Sequence, residues 1–557
     1  MTDPHSIPRP AATVILARDT EEGPEVFMMK RTTEVTFAKG MHVFPGGALD
    51  AADRHPDLAA RCAGLDDTLA SAQLGMEQGG LAYWIAAIRE CFEEAGLLLG
   101  YRERDELLTL QDEDADRLSA LRLDLASHKV TFSEILEREN LRAATDLIAY
   151  YSHWITQPGR PRRYDTRFFV ARAPSTQVPM HDNSELVAHL WVRPGDALEM
   201  ARNGEMTLMF PTVKTLESLT RFARVEDMLE FARSPRSRPI MAPRAAVALD
   251  GSQRTLVPGD FAYAEVKKLD PDNKGQVWCD IKPGRPVEIA SQVVRVTAPN
   301  PGMMTGPGTN TYLIGNAETG IAVIDPGPLL DEHIAAIEQN AAGQIKWILC
   351  THTHVDHSPA ARVLREKHGA TVYGMPPPPY PNQDQTFAPD QVVQNGDRIP
   401  VAGVALRVIH TPGHASNQVC YLWESERLLF TGDHIMQGST VVINPPDGHM
   451  ATYLASLRLL QSENIEYLAP GHGFLIADPA VAVDRLLVHR QTRENKVFEA
   501  MRRINAPADL EALVVQAYDD TPANRHKVAM RSLAAHLQKL QEEGRVQEHN
   551  GLWSLIV

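Results

Sequence analysis

Between Thr351 and His357 the chain reads Thr-His-Thr-His-Val-Asp-His, directly after the apolar run Trp347-Ile348-Leu349-Cys350. Such a run predicts a buried strand, so His352, His354, Asp356 and His357 are expected on the loop that leaves its end. Neutral imidazole and carboxylate are the nitrogen and oxygen donors that suit zinc. On an extended segment, alternating spacing turns His352 and His354 toward one ion and Asp356 and His357 toward a second. One short cluster cannot complete two coordination shells, and three further candidates follow, each past an apolar run and each preceded by glycine: His414 in Thr-Pro-Gly-His, Asp433 in Phe-Thr-Gly-Asp and His472 in Ala-Pro-Gly-His-Gly. Glycine lets the backbone turn sharply and bring the next side chain over the rim of a sheet. Around these motifs, β-type runs at Gly320 to Ile324, Lys346 to Cys350, Ala405 to Ile409, Arg427 to Phe430 and Ile465 to Leu468 alternate with helical stretches, the pattern of a layered α/β domain.

The order of these motifs closely resembles the metallo-β-lactamase superfamily over about residues 290 to 495. The resemblance implies an αββα sandwich and two Zn²⁺. It assigns His352, His354 and His414 to one ion and Asp356, His357 and His472 to the other, with Asp433 bridging. Two such cations acidify a shared water and polarise the group under attack, and Asp356 would orient that water. Thr309, Asn310, Asp325 and Gly327 match early family loops and are expected to orient ligands; His410 and His434 match no ligand position and stay outside the set.

The N-terminal part carries a second acidic pattern. Apolar runs at Ala12 to Leu16 and Val26 to Met29 precede a helix over Leu81 to Leu98, whose Leu81, Trp84, Ile85, Ile88 and Phe92 recur at three- and four-residue steps, with Gly96 suited to its end. Within it, Arg89-Glu90-Cys91-Phe92-Glu93-Glu94-Ala95-Gly96-Leu97 sets Glu90, Glu93 and Glu94 at i, i+3 and i+4, one face of a helix, where carboxylates can share Mg²⁺ or Mn²⁺. Arg89 can brace Glu93 one turn on. With Phe44-Pro45-Gly46-Gly47 upstream, the run resembles a Nudix box, and with Tyr164-Asp165-Thr166-Arg167-Phe168-Phe169 it looks like the branch containing acyl-CoA diphosphatases, over about residues 10 to 220. The gap from Gly47 to Arg89 is longer than the standard box, which an insertion explains, and the box's intermediate glutamate has no obvious counterpart. The resemblance implies an α/β/α Nudix fold and metal-assisted hydrolysis of a diphosphate, with Glu93 or Glu94 as base. Glu185 is a further candidate metal oxygen.

A chain of 557 residues exceeds what one core supports. It reads as an α/β multidomain protein: a Nudix-like domain with insertion and linker over 1–285, a metallo-β-lactamase-like domain over 286–500 and a tail over 501–557. The boundary near 285 follows from residues 234 to 286, rich in Pro, Gly, Arg and Asp. After Arg503 three short helical segments and a hairpin turning at Asn550-Gly551 resemble a winged helix. The tail carries seven Lys or Arg and seven Asp or Glu, too balanced for a DNA-reading surface, so a substrate-side wall or homodimer contact is expected. Five cysteines without C-x-x-C spacing are expected as reduced thiols; neither a secretory start nor an apolar run near the roughly 20 residues of a membrane span is found, which predicts a cytoplasmic protein with no membrane contact. A net charge of -16 offers no general attraction to nucleic acid.

These features predict a two-part hydrolase of small molecules such as CoA derivatives, other thioesters or esters. Two alternatives stand beside it. The tail, the Val442 to Gly448 run and His489-Arg490 after the domain resemble a branch that includes a single-strand endoribonuclease, which would make RNA the substrate and the Nudix part a nucleotide trimmer. In the other, the Nudix part only senses a nucleotide-like ligand.

Overall fold

The computed structural model describes residues 6–32, 39–102, 106–109, 112–177, 186–236 and 238–556. The chain forms two compact units, Met1–Pro243 and Arg244–Val557. The division falls well before the expected boundary at residue 285, because residues 244 to 285 are not an open linker. Their hairpin, Arg244–Val247 with Gln253–Leu256, and their helix Tyr263–Leu269 pack with the second unit. Glu265 there is 2% exposed and takes both terminal nitrogens of buried Arg295, at 2.6 and 2.9 Å. Short apolar runs among prolines and glycines read as a linker by composition; the buried ion pair that anchors them has no local sequence signal.

In the first unit the strand Arg9–Thr20 lies inside an eight-stranded sheet, antiparallel to Gly23–Arg31 and parallel to Tyr164–Arg172. Gly46–Ala48 pairs with the same strand, Thr13 opposite Gly46, which delivers the glycine pair to the sheet beside the acidic helix. That helix is Leu81–Ala95, shorter than expected, and Gly96 closes it in the left-handed region at φ 69°. It is buried on nearly every side rather than along one stripe: Leu81 through Phe92 are all buried, and only Glu93 and Glu94 are partly open. The stretch after it explains this. Arg122, from helix Asp112–Ala126, donates to the carbonyls of Glu93 and Glu94 at 2.8 and 3.0 Å, satisfying the helix's last acceptors.

The second unit is built from two sheets, and alternation along its strands sorts their side chains into three layers of core. Tyr312, Ile314, Ala322, Ile324 and Leu349 of the first sheet meet Leu406, Val408, Tyr421, Phe430 and Ala469 of the second. The opposite residues of the first sheet, Leu313, Val323 and Ile348, pack on helices Asp331–Asn340 and Ala360–His368. Those of the second, Ile409, Cys420, Leu422 and Leu429, pack on Met450–Leu460 and on Val483 of helix Pro479–Ile504. The result is helix, sheet, sheet, helix, as expected for the αββα sandwich.

The tail shares the long helix. Val497, Ala500 and Met501 join Leu513, Val514, Leu533, Leu537, Leu540 and Val546 in a separate core. Beyond Arg503 there are two α-helices, Leu510–Ala517 and His526–Glu542, and the third expected segment is a single 3-10 turn, Ala523–Arg525. The hairpin Val546–His549 with Leu552–Leu555 turns at Asn550 and Gly551, whose φ values of 53° and 80° suit a two-residue turn. All five cysteines are unpaired. No helix among the described residues is long and apolar enough to cross a membrane.

Candidate functional site

Every one of the seven expected donors of the second unit sits on a loop leaving a strand. His352, His354, Asp356 and His357 follow Ile345–Leu349; His414 follows Val404–His410; Asp433 follows Val419–Trp423's neighbour Leu428–Gly432; His472 follows Tyr467–Pro470. Three groups of donor atoms lie within 4.8 Å of one another: His352, His354 and His414; Asp356, His357 and His472; and His352, His357 and Asp433. Asp433 therefore joins the two trios. Its Oδ1 faces His357 Nε2 at 3.4 Å and His472 Nε2 at 3.2 Å, while Oδ2 faces His414 Nε2 at 3.8 Å. In the other trio, His354 Nδ1 lies 3.0 Å from Nε2 of both His352 and His414.

His354 Nδ1 is within hydrogen-bond reach of both its neighbours, but the second trio is not satisfied in this way. His357 Nε2, Asp433 Oδ1 and His472 Nε2 are buried and have no hydrogen-bond partner. Unmet buried polar atoms are costly, and several converging on one space is the arrangement that a cation would satisfy. The outer nitrogens of three of these imidazoles, by contrast, are engaged: His357 Nδ1 with Asp325 Oδ2 at 3.0 Å, His414 Nδ1 with the Val442 carbonyl at 2.9 Å and His472 Nδ1 with the Gly308 carbonyl at 3.2 Å. A proton held on Nδ1 by such an acceptor leaves the Nε2 lone pair facing inward.

The electrostatics of the two trios differ. Burial, then the neighbouring imidazoles, hold His352 well below its ordinary value, and burial with His414 brings His354 down to about 3. On the other side burial opposes charge but loses to the carboxylates: Asp356, Asp433 and Asp325 raise His357 well above its ordinary value, and Asp433 helps lift His472 to about 9. Burial likewise opposes Asp356 and Asp433, whose neighbours His357 and His472 nevertheless hold them low, Asp356 at about 2. One trio is neutral, the other internally ion-paired.

The N-terminal acidic helix is arranged in another way. Arg89 is 5% exposed and forms a two-pronged pair with Asp53, Nε to Oδ1 at 2.9 Å and Nη2 to Oδ2 at 3.0 Å. Its remaining nitrogen reaches Glu90 at 2.8 Å and Glu93 at 3.3 Å. Glu94 accepts from the Gly46 amide at 2.8 Å and lies 3.9 Å from Arg31. Gly47 leaves room for the Glu90 carboxylate: a Cβ there would fall 2.4 Å from Glu90 Oε1 and force that side chain to move. Burial raises Glu90 to about 7 against the pull of Arg89, and raises Glu93 as well. Among the described residues, Glu90, Glu93 and Glu94 do not form a convergent donor group like those of the second unit.

Comparison with known proteins agrees with this division. Family models match residues 304–472 as the metallo-beta-lactamase superfamily, 8–219 as the NUDT19 Nudix domain and 510–553 as the beta-lactamase associated winged helix domain. A Beta-lactamase-like protein 2 homolog of Drosophila melanogaster is 30% identical over 272 residues, covering 46% of this chain and 91% of the fly protein. The chain belongs to the metallo-beta-lactamase superfamily. It is a hydrolase, with a Nudix domain ahead of the lactamase domain and a winged helix after it. Lactamase-like protein ptaB of Pestalotiopsis fici is 29% identical, covering 52% of this chain and 88% of its own length. The Atrochrysone carboxyl ACP thioesterase dmxR1 of a Cryptosporiopsis species is 28% identical, covering 45% and 77%.

The supporting residues expected around the lactamase cluster all touch it. Thr309 donates to Asp356 Oδ2 at 3.4 Å; Asn310 donates to the Pro470 and Gly473 carbonyls on either side of His472; Asp325 also accepts from the Thr351 amide and hydroxyl at 2.7 Å; the Gly327 amide donates to the His357 carbonyl. His410 is turned to the Ser416 carbonyl, and His434 is buried against Tyr453, so neither joins a donor group. Glu185 lies outside the described residues. Sequence reasoning missed Asp53, the acidic partner that seemed absent from the Nudix box. Its available signal was an acid placed shortly after Gly46-Gly47, ahead of the insertion rather than next to Arg89.

Proposed function

We propose that the lactamase domain is a dinuclear zinc hydrolase of thioesters or related esters, and that the Nudix domain hydrolyses a diphosphate in a CoA-like or nucleotide-like molecule. The observation that carries the first part is Asp433, whose two oxygens face the two trios. His352, His354 and His414 would hold one ion and Asp356, His357 and His472 the other, with Asp433 between them. When bound, such a pair of cations lowers the pKa of water and polarises the carbonyl under attack. The chain's own residues do the rest. Asp325, Val442 and Gly308 hold three imidazoles in the tautomer that faces inward. Asp356, with its side chain 24% exposed, is open to solvent, and its carboxylate accepts a hydrogen bond from the attacking water and orients it. The relative named as an acyl-carrier-protein thioesterase supports the thioester class.

In the Nudix domain Glu90, Glu93 and Glu94 suit Mg²⁺ or Mn²⁺ by donor type. A cation there competes with Arg89 for Glu90 and Glu93, and Glu93 and Glu94, the partly open pair, are the candidates for base. Five unpaired cysteines fit a reducing compartment.

The test is a panel of acyl-CoA thioesters, simple esters, lactones and single-stranded RNA, with His354→Ala and Glu93→Ala beside the unaltered protein. Thioester turnover lost only in His354→Ala is the expected result, and diphosphate cleavage lost only in Glu93→Ala. RNA cleavage without thioester turnover, or a zinc-free protein that hydrolyses thioesters at full rate, would overturn the reading.

A further inference from the structure

His414 depends on a carbonyl in an irregular segment. Its Nδ1 pairs with Val442 O, and residues 441 to 444 belong to neither strand nor helix. Such a carbonyl is only as fixed as whatever holds its segment. The neighbouring carbonyl, Val441 O, accepts from Arg490 on the long helix Pro479–Ile504, beyond the end of the lactamase match at residue 472. Arg490 is 2% exposed, and among the described residues no carboxylate forms an ion pair with it; its guanidinium lies 5.4 Å from the centre of the Tyr453 ring. A buried cation without a counter-charge is expensive, so a position that keeps one must gain from the contact it makes. Tyr453 closes the same circle: its hydroxyl donates to the His434 carbonyl, beside Asp433, and its backbone is pressed so close to Gly413 that a Cβ there would fall 2.4 Å from Tyr453 Cα.

The winged helix anchors this helix and reaches the same loop by a second route. Glu494, one turn after Arg490 and 3% exposed, takes Lys539 Nζ at 2.9 Å and lies 3.6 Å from His536 Nδ1, both on helix His526–Glu542. From that helix Glu542 takes His449 Nε2 at 2.8 Å, and the His449 amide donates to the Gly413 carbonyl at 2.8 Å. Two chains of contact thus run from the tail to the Gly413-His414 pair.

We infer that the winged helix braces His414 through the long helix it packs on, with Arg490 as the positioning residue, so that the His352, His354 and His414 metal position depends on residues beyond 472, where the lactamase family match ends. The inference rests on the dinuclear reading above, and its test separates the two.

The full-length protein, stripped of metal, is titrated with zinc against a chromophoric chelator. Groups that orient a metal-ligating imidazole typically change affinity by about 10- to 100-fold. Arg490→Met is expected to weaken one of two zinc ions by about that factor and leave the other unchanged. The affected ion is the one lost in His354→Ala, so in that background Arg490→Met adds nothing. Arg490→Lys, which keeps a donor, recovers most of the loss, and Glu542→Gln weakens the same ion less. Asp509→Ala controls for general loosening: it removes the Asp509 cap on Ala512 N in helix Leu510–Ala517, should lower the melting temperature and should leave both affinities alone. Equal weakening of both ions, no weakening of either, or an Asp509→Ala loss as large as that of Arg490→Met overturns the brace. A native protein that binds no zinc overturns the dinuclear reading and the brace with it, whereas two tight ions unaffected by Arg490→Met remove the brace alone.

Discussion

The two donor sets of this chain bury similar chemistry and treat it oppositely. On the Nudix helix the carboxylates are answered from within: Arg89 spans Asp53, Glu90 and Glu93, and Glu94 takes the Gly46 amide. In the lactamase domain no Lys or Arg pairs with the seven donors among the described residues, and three inward-facing atoms are left without a partner. A set that neutralises itself is stable without a cation and binds one in competition with its own arginine. A set that answers its carboxylates only with its own imidazoles has no arginine for a cation to displace, and gives up imidazole protons when one arrives.

The largest effect that would break this contrast is on catalysis. Asp433→Asn removes the carboxylate shared by both trios, and loss of several kcal/mol of transition-state stabilisation, at about 1.4 kcal/mol per tenfold, lowers thioester kcat/KM on the order of a thousandfold. Glu93→Gln should leave that kcat/KM untouched. Next comes metal removal: zinc at about a thousand times its Kd adds about 4 kcal/mol to stability, so a chelator should shift the calorimetric transition of the lactamase unit strongly and that of the Nudix unit little. A Nudix transition that moves as far as the other would erase the distinction.

The contrast is sharpened from the other side by Asp53→Asn. It removes the charge of the two-pronged partner of buried Arg89 and leaves the guanidinium to Glu90 and Glu93, and weakening charged hydrogen bonds of this kind costs about 2 kcal/mol, measurable as a lower urea midpoint for the N-terminal unit with zinc affinity unchanged. The smallest effect concerns acid. Burial pushes Glu494 up, but contacts with His536 and Lys539 bring it to about 2 from an ordinary 4.5. On acidification the unfolded chain therefore takes up this proton first, so the stabilisation is complete above about pH 4.5 and is lost as pH falls toward 2. Glu494→Gln should flatten that part of the pH–stability curve, and an unchanged slope would show that the tail is anchored by other contacts.

Much of the lactamase site could be read from the chain because each donor follows an apolar run, and a strand end needs only local pattern to be recognised. His352, His354, His414, Asp433 and His472 were all found that way, and the same logic placed the helix that carries Glu90, Glu93 and Glu94. The residues that were missed act across long separations. Asp53 pairs with Arg89 over 36 positions, Glu265 with Arg295 over 30, and Arg490 with Val441 over 49. An aspartate after a turn and a glutamate in a Pro- and Gly-rich stretch read as surface residues, and although His489-Arg490 carries part of the family resemblance, nothing near it in sequence points to Val441.

What the sequence by itself determined is the kind and order of the donors and the strand runs that carry them, because side-chain chemistry and strand or helix periodicity are local properties; the family and its two-sheet sandwich came through the resemblance that those motifs carry. The resemblance implied the two trios and the place of Asp433 between them; only the tertiary structure decided that backbone carbonyls at Gly308 and Val442 set the imidazole tautomers, that residues 244 to 285 pack with the second unit, and that Asp53 holds the Nudix arginine. These are pairings between distant segments. They are settled by which buried polar groups can satisfy one another once the cores have formed, and no window of sequence contains both partners.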